Sequence, residues 1–217
     1  FLDVGQGDSE LVVLENGVKI LIDGGSGTKI LERLAETMPP NDRYLDLVVL
    51  SHPQLDHFGG LIDVAERYSI GAFIFNGRTG EAKAFDSLIK ILQENRVRII
   101  ALQEDDKILY KDNIFEIISP SPQELTSEEL NDTSIVILET SGNSKILFTG
   151  DIGFKTENRL IQKYDLDIDV LKVAHHGSKY STSDRFLKKT TPKISVIEVG
   201  KNNYGHPHKE VLDLIIS

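Results

Sequence analysis

The sequence predicts a layered α/β protein, and three observations lead to that class. Apolar runs of strand length alternate with stretches in which apolar residues recur at helical spacing. Two short turns rich in Asn, Ser and Gly each separate a pair of strand-like runs, as in a β-hairpin. No long linker or low-complexity tract interrupts the 217 residues, so we predict a single domain over residues 1–217.

The first half should begin with a strand-like run at 1–4 and a hairpin around Asn16-Gly17 that ends at Asp23. A helical pattern then runs to Pro39-Pro40, which stops it. The elements predicted after it are a strand at 45–50, a helix at 61–68, a strand at 71–75, a helix at 81–95 and a strand at 97–102.

The second half repeats this style. Strands are predicted at 113–120, 134–139, 145–150, 168–174 and 193–200, and residues 141–143 form the second hairpin turn. The chain begins at Phe1, inside a strand-like run, and stops inside an apolar helical pattern. We therefore expect it to be a fragment of a longer protein.

Composition limits the chemistry. The content of 40% hydrophobic and 27% charged residues is ordinary for a globular protein, and no apolar stretch approaches the roughly 20 residues of a membrane-spanning helix. No cysteine is present, which excludes disulfides, thiolate ligands and cysteine nucleophiles. Any metal must be held by nitrogen and oxygen atoms.

The six histidines fall in three short clusters, and each cluster follows a predicted strand. Side chains at strand ends can converge while the sheets hold them rigidly. Imidazoles mixed with carboxylates suit zinc, manganese or iron, and a carboxylate such as Asp151 can bridge two metals about 3.5–4 Å apart. The clustered residues are His52 and His57 with Asp56 between them, His175 and His176, and His206 and His208, and Asp23 and Asp151 are also at strand ends.

Seven motifs then identify a family. In order along the chain they are FLDVGQGDS, LIDGG, SHPQLDHFGG, NDTSIVIL, LFTGD, LKVAHHGS and NNYGHP. Together they resemble the metallo-β-lactamase-fold domain of ComEC-type competence proteins, over nearly the whole chain. The resemblance implies an αββα sandwich that holds two divalent metals, zinc or manganese. It also implies a DNA nuclease that degrades the strand not taken up during natural transformation.

The same resemblance implies a setting and partners. The expected location is the extracytoplasmic side of a bacterial inner membrane, as a soluble domain of a membrane protein; without the resemblance the cytoplasm is the alternative. The expected partners are single-stranded DNA and the membrane channel region of the same full-length protein. This chain itself contains no predicted membrane-spanning segment.

The family pattern implies the role of each site residue. One histidine of the 175–176 pair is a ligand, and we favour His175 although adjacent histidines cannot be separated by sequence. Asp56 and His206 are expected to be catalytic, His206 as a metal ligand or substrate contact, and Asp23 to orient a ligand histidine. Residues expected beside the site are His176, Ser178 and Asp8. The implied metal ligands are His52, Asp56, His57, Asp151 and His175.

Two positions depart from the family pattern. Gln54 stands where the superfamily has His and ComEC-type domains usually have Asp, and Asn131 stands where many relatives have a third histidine. A neutral amide is a poor metal ligand, so the metal position that relies on His52 is expected to be weak. His208 begins a helical segment and is expected to lie outside the site.

The charge balance argues against a nuclease, because the formal charge is −10 and proteins that grip long nucleic acids usually present a basic face. A local basic rim is the predicted compensation. Three hypotheses follow: a DNA phosphodiesterase, a metallohydrolase of another ester, or a non-catalytic domain that binds DNA or a partner. The predicted rim consists of Lys172, Lys179, Arg185, Lys188, Lys189 and Lys201.

Overall fold

The computed structural model describes residues 1–80 and 83–216 and divides the chain into two compact units. Unit 1 is Phe1–Ala101 and unit 2 is Leu102–Ser217. Within the described residues, no helix combines the length and the apolarity needed to cross a bilayer. The single domain over residues 1–217 stays a prediction.

Unit 1 contains a five-stranded sheet in the order β1-β2-β3-β4-β5. The first two strands form the antiparallel hairpin predicted around Asn16-Gly17, and the other pairs are parallel with helical crossovers. The α/β class is therefore confirmed. The elements are β1 (Glu10–Val13), β2 (Lys19–Ile22), α1 (Lys29–Thr37), β3 (Tyr44–Val49), α2 (Leu55–Arg67), β4 (Ser69–Phe75), α3 (Lys83–Glu94) and β5 (Arg98–Ala101).

The core of unit 1 lies where its helices pack on the sheet. Phe58 of α2 meets Phe85 of α3 edge to face, with 5.4 Å between ring centroids, and both side chains are buried. Leu21, Val48 and Phe73 from three strands belong to the same apolar cluster. Burial of such side chains stabilises each by roughly 1.5–3 kcal/mol, so α2 is fixed firmly beside the strand ends.

Two predictions for unit 1 were wrong in detail. Residues 1–4 form no strand, because the chain bends at Gly5 and Gly7, both with positive φ, although Leu2 and Val4 are buried in the core. The helix predicted at 61–68 begins earlier, at Leu55. The predicted helical residues 81 and 82 lie outside the described residues.

Unit 2 contains a six-stranded sheet in the order β11-β10-β9-β8-β7-β6. The β8–β9 hairpin was predicted, whereas β6 was not, and the last two strands are shorter than their apolar runs. The elements are β6 (Lys107–Tyr110), β7 (Asn113–Ser119), β8 (Val136–Ser141), β9 (Ser144–Phe148), α4 (Phe154–Lys163), β10 (Val170–Lys172), α5 (Asp184–Thr190), β11 (Ile194–Val196) and α6 (Lys209–Ile216).

The core of unit 2 forms between α4, α5 and one face of this sheet. Leu160 and Phe186 from the two helices join Leu138, Leu147 and Leu171 from the strands in one buried cluster. The sheet and these helices hold the strand ends of unit 2 in place, and the predicted site residues of this unit follow those ends.

Burial of Glu139 on β8 gives a testable pH dependence. The side chain is 4% exposed, and burial raises the pKa of its carboxyl from 4.5 to about 7. Because the folded pKa lies above the unfolded one, stability is complete below about pH 4.5 and falls as pH rises towards 7. In Glu139→Gln the free energy of unfolding should not fall over this pH range. Above pH 7 it should exceed that of the parent protein by roughly 2–3 kcal/mol, so the variant should unfold at a higher urea concentration.

The control for this prediction is Glu128→Gln, because Glu128 is exposed. Urea denaturation of both variants and the parent protein across this pH range measures the effect. Stability curves of Glu139→Gln and the parent that run parallel with pH would contradict it.

Candidate metal centre

In unit 1, Asp23 links the predicted ligand histidines to the backbone. It follows β2 directly, with a left-handed φ of 54°, and its carboxylate is buried. One oxygen, Oδ1, accepts the Ser51 N–H at 2.7 Å, and Oδ2 accepts the Ser51 hydroxyl at 2.6 Å. The same Oδ2 lies 2.8 Å from Nδ1 of His57. Asp23 therefore contacts both Ser51 and the His57 ring.

These contacts assign the tautomers of both histidines in unit 1. His57 donates from Nδ1 to the Asp23 carboxylate, which leaves the lone pair of the ring on Nε2. Ser51 Oγ, already a donor to Asp23, can accept from Nδ1 of His52 at 3.0 Å. The two rings lie 4.2 Å apart between centroids. A carboxylate that holds Nδ1–H so that Nε2 is the available ligand is the usual arrangement behind metal-binding histidines.

The electrostatics of Asp23 follow from its burial. Desolvation raises the pKa of Asp23, and the neighbouring His57 opposes this shift. Asp8 is buried as well, with Oδ2 3.7 Å from Nδ1 of His57. Asp8, Asp23 and His57 each offer a ligand atom within 4.8 Å of the others. Asp8 thus lies beside the His57 ring.

The first turn of α2 carries Asp56 and His57, so these residues lie on the helix that was predicted to begin only at residue 61. Oδ1 of Asp56 is 3.9 Å from Nε2 of His57, on the side of the ring opposite Asp23. Gln54 is the N-cap residue, and its side chain makes no capping bond, while its carbonyl accepts the N–H groups of His57 and Phe58. Gln54, which differs from the family pattern, is therefore the residue immediately before helix α2.

In unit 2, Asp151 follows β9 and is buried. Its backbone N–H donates to Ser134 Oγ at 3.2 Å. Lys172, at the end of β10, is fully buried with Nζ 3.9 Å from Asp151 Oδ1 and 3.3 Å from the Gly150 carbonyl oxygen. An opposite charge at such a distance favours the charged form of a carboxylate. Lys172 therefore cannot belong to the predicted basic rim, and that prediction was wrong.

The two adjacent histidines of unit 2 differ in their contacts. His176 is buried, its Nδ1 donates to the Glu198 carbonyl at 2.9 Å, and its Nε2 lies 3.5 Å from Asp151 Oδ2. Nε2 of His175 is 3.9 Å from the same oxygen, and its side chain is 30% exposed. Both residues have a positive backbone φ, which residues other than glycine rarely adopt. This geometry favours His176 over His175 beside Asp151.

We therefore predict that His176→Ala lowers the affinity for Mn²⁺ by about 100-fold and that His175→Ala lowers it by no more than about tenfold. The reason is that the Glu198 carbonyl fixes the tautomer of His176, with Nε2 directed at Asp151. Isothermal titration of each variant measures this ratio. Equal losses in the two variants, or a larger loss in His175→Ala, would contradict the assignment.

The remaining predicted residues of unit 2 surround the same histidines. The His206 ring lies 5.4 Å from that of His175 and 6.3 Å from that of His176. Burial and the neighbouring histidines lower the pKa of His206, which favours a neutral ring. Nδ2 of Asn131 is 3.4 Å from both ring nitrogens of His175, so this amide lies against the ring.

Ser178 and His208 also lie near the histidines of unit 2. Ser178 is buried and its Oγ accepts the Tyr180 N–H at 3.3 Å, so it shapes the loop that follows the histidine pair. His208, predicted outside the site, has its ring 5.4 Å from that of His206. His208 is therefore also one of the neighbouring histidine rings of unit 2, although the motifs did not indicate this.

Sequence reasoning missed three groups that orient these side chains. Ser51 precedes His52 directly, so its hydroxyl was visible in the motif, but nothing indicated that it would contact Asp23. The Glu198 carbonyl comes from distant sequence and carries no side-chain signal. Lys172 was read as a surface charge, and only its place at the end of a buried strand explains why it is covered.

Comparisons with known proteins agree on one family. A family model described as Metallo-beta-lactamase superfamily matches residues 2–200. The chain is 32% identical over 235 residues to ComE operon protein 3 of Bacillus subtilis strain 168, covering 99% of this chain and 30% of that protein. It is 30% identical over 213 residues to Competence protein ComA of Neisseria gonorrhoeae, covering 96% of this chain and 28% of that protein.

The chain therefore spans under a third of the length of these curated relatives. Among solved structures, it is similar to the metallo-beta-lactamase fold protein YhfI from Bacillus subtilis, with a TM-score of 0.59. The identity is 16%, and the match covers 96% of this chain and 86% of that chain. At this identity the likeness concerns the fold alone.

Proposed function

Because the chain belongs to the metallo-β-lactamase superfamily, we propose that it is a metal-dependent phosphodiesterase that cuts single-stranded DNA. The predicted metallo-β-lactamase fold is confirmed, as is the resemblance to ComEC-type competence proteins. This fold usually carries metal-dependent hydrolases. Fold alone does not fix the substrate, so the DNA nuclease activity is our proposal.

The observation that carries the proposal is the orientation of the histidines in each unit. In unit 1 the Asp23 carboxylate holds Nδ1–H of His57, and in unit 2 the Glu198 carbonyl holds Nδ1–H of His176. Both rings therefore present the lone pair of Nε2, and each has a ligand-type carboxylate near that nitrogen, Asp56 at 3.9 Å and Asp151 at 3.5 Å. Such a donor set of imidazole nitrogens and carboxylate oxygens fits zinc or manganese.

We propose His52, Asp56 and His57 as the metal ligands of unit 1, and Asp151 with one histidine of the 175–176 pair as those of unit 2. When bound, divalent metals would activate water and neutralise charge on a phosphate. Asp23 keeps the His57 ring in place and in the correct tautomer through its 2.8 Å contact. Lys172 places its buried side-chain nitrogen 3.9 Å from Asp151 Oδ1.

His206 is proposed as the residue that contacts the scissile phosphate or a metal. Its ring stands next to that of His175, and its backbone is held by Asn202, whose side-chain oxygen accepts the His206 N–H at 3.1 Å. A neutral imidazole at this place can donate a hydrogen bond to a phosphate oxygen. His206→Ala should therefore lower the rate of hydrolysis while the free energy of unfolding changes little.

DNA is the proposed substrate because relatives of the chain carry competence names, such as Competence protein ComA of Neisseria gonorrhoeae. By the same resemblance we propose that the domain acts outside the cytoplasm, next to a membrane channel region of its full-length protein. The formal charge of −10 limits the affinity for DNA. We expect weak binding that falls with salt on a shallow slope.

The substrate test compares two diesters under matched conditions. End-labelled single-stranded DNA and bis-p-nitrophenyl phosphate are each incubated with the protein and Mn²⁺, Zn²⁺ or Mg²⁺. Cleavage of both supports the proposal. Hydrolysis of the small diester without cleavage of DNA would favour another ester as substrate, and inactivity on both with metal bound would favour a non-catalytic binding domain.

Gln54 provides a prediction about metal occupancy. Gln54→Asp should raise metal stoichiometry or lower the Mn²⁺ concentration needed for half-maximal hydrolysis, because a charged oxygen replaces a neutral amide oxygen at the start of α2. Asp is also a good N-cap residue, so the helix should not be weakened. Metal analysis after dialysis, with Gln123→Asp on the surface as control, measures the change. An unchanged metal titration would contradict a ligand role for position 54.

A further inference from the structure

The exposed aromatic side chains of unit 2 occur on, or directly beside, the loops that carry its predicted site residues. Among the described residues of this unit they are Phe154, Tyr180 and Tyr204, which are 40%, 65% and 72% exposed. Phe154 comes three residues after Asp151 along the chain, Tyr180 follows the histidine pair, and Tyr204 precedes His206. Each exposed ring of this unit is therefore close along the chain to a predicted site residue.

Tyr204 is the ring nearest to the histidines. Its ring lies 5.8 Å from that of His206 with an angle of 31° between the planes, and His206 in turn lies 5.4 Å from His175. The loop is held in shape by Asn202, whose side-chain oxygen accepts the Tyr204 N–H at 3.0 Å and whose amide donates to the His206 carbonyl at 2.8 Å. The exposed ring therefore stands on an ordered backbone.

Phe154 and Tyr180 form a second group. The Phe154 N–H donates to the Tyr180 carbonyl at 3.2 Å, so the two backbones are in contact. The loop after the histidines is anchored by Ser181, whose hydroxyl donates to the Ala174 carbonyl at 2.8 Å. A backbone that is already ordered lowers the entropy cost of binding a ligand.

Exposed lysines accompany these rings. Lys155 is adjacent to Phe154, Lys179 lies with Nζ 5.1 Å from the centre of the Tyr180 ring, and Lys201 is on the same loop as Tyr204. Flat rings interleaved with cations are the features with which proteins bind single-stranded nucleic acids without reading their sequence. A protein whose net charge is −10 needs such local cations to approach a phosphate backbone.

We propose that Phe154, Tyr180 and Tyr204 form a stacking surface for the bases of single-stranded nucleic acid, with the neighbouring lysines contacting its phosphates. This inference rests on the proposed function and deepens it, because it explains how a strongly acidic domain selects an unpaired strand. Stacking requires exposed base faces, so a duplex would be bound less tightly. Each base has a π face, so the surface should tolerate any sequence.

The test measures binding separately from cleavage. Fluorescence anisotropy is recorded for the metal-containing protein with a labelled phosphorothioate oligo-dT of about 15 nucleotides, close to the site size of common single-strand binders. A matched abasic oligomer has the same backbone and no bases. We expect the oligo-dT to bind at least about tenfold more tightly than the abasic oligomer.

The variants separate stacking from charge. Tyr180→Ala and Tyr204→Ala should each weaken oligo-dT binding about tenfold and leave abasic binding unchanged, whereas Tyr180→Phe and Tyr204→Phe should bind as the parent does. Tyr44→Ala, at an exposed tyrosine of unit 1, is the control and should have no effect. Lys179→Met and Lys201→Met should instead flatten the salt dependence of both oligomers.

Failure of this inference is distinguishable from failure of the proposed function. If oligo-dT and abasic oligomer bind equally, or if the alanine variants bind as tightly as the parent, the stacking surface is overturned even when DNA is cleaved. If base-dependent binding is found and unmodified DNA is left intact with Mn²⁺, the stacking surface stands and the nuclease proposal fails. Tighter binding of duplex than of single strands would also overturn the inference.

Discussion

Asp151→Ala should lose most of the bound metal while the protein stays folded. Asp151 is buried, lies 3.5 Å from Nε2 of His176, and is the carboxylate that we propose as a metal ligand in unit 2. Loss of an outer partner of a metal ligand typically costs 10–100-fold in affinity, so loss of a direct ligand should cost about 100-fold or more. Metal analysis of the purified variant, with circular dichroism to verify folding, measures this result.

Removal of Asp151 also affects the buried Lys172, so the experiment needs a second variant. Without Asp151 its buried ammonium keeps the Gly150 carbonyl and loses the adjacent carboxylate, which should lower stability. The double variant Asp151→Ala/Lys172→Met should recover stability without recovering metal. Asp213→Ala, at an exposed aspartate that pairs with Lys209, is the matched control. Full metal occupancy in Asp151→Ala would overturn the assignment.

Gly60→Ala should destabilise unit 1 strongly, although alanine normally favours a helix over glycine by about 1 kcal/mol. A Cβ at Gly60 would lie 2.1 Å from the Gly24 carbonyl oxygen and 2.7 Å from that of Gly27. The contact is fixed from both sides, since the Gly60 N–H donates to Gly25 at 2.9 Å and the Gly24 N–H donates to His57 at 2.8 Å. We expect a loss of about 3 kcal/mol in urea denaturation, the upper part of the range for overpacking.

Gly27→Ala is the matched control for this prediction. It lies in the same loop, and a Cβ there would meet nothing within 4 Å. Its stability should stay within about 0.5 kcal/mol of the parent protein. If Gly60→Ala were as stable as Gly27→Ala, this result would contradict the close packing of α2 on the loop after Asp23.

The strand and helix pattern was predictable where periodicity is strong. The β1–β2 and β8–β9 hairpins followed from their turn residues, and α1 ended just before the two prolines. The start of α2 was missed because Gly59 and Gly60 look like turn residues, whereas here they permit close approach to a loop. The strand at Lys107–Tyr110 was missed because its four residues give too short a pattern.

The candidate site was predictable to the level of residue types. Motif spacing indicated Asp23, His57, Asp151 and the histidine pair, and the structure adds the contacts that orient them. What the sequence could not provide is tautomer and orientation, because these depend on groups distant in the chain, such as the Ser51 hydroxyl and the Glu198 carbonyl. Burial of Lys172 was hidden for the same reason.

The most direct test of the account is cleavage of end-labelled single-stranded DNA by protein whose metal content has been measured. The account predicts fragments with Mn²⁺, none after chelation, recovery when Mn²⁺ is restored, and at least about 100-fold slower cleavage by Asp151→Ala. Cleavage that persists in chelator or in metal-free Asp151→Ala would contradict it, as would intact DNA in the presence of fully metal-loaded parent protein.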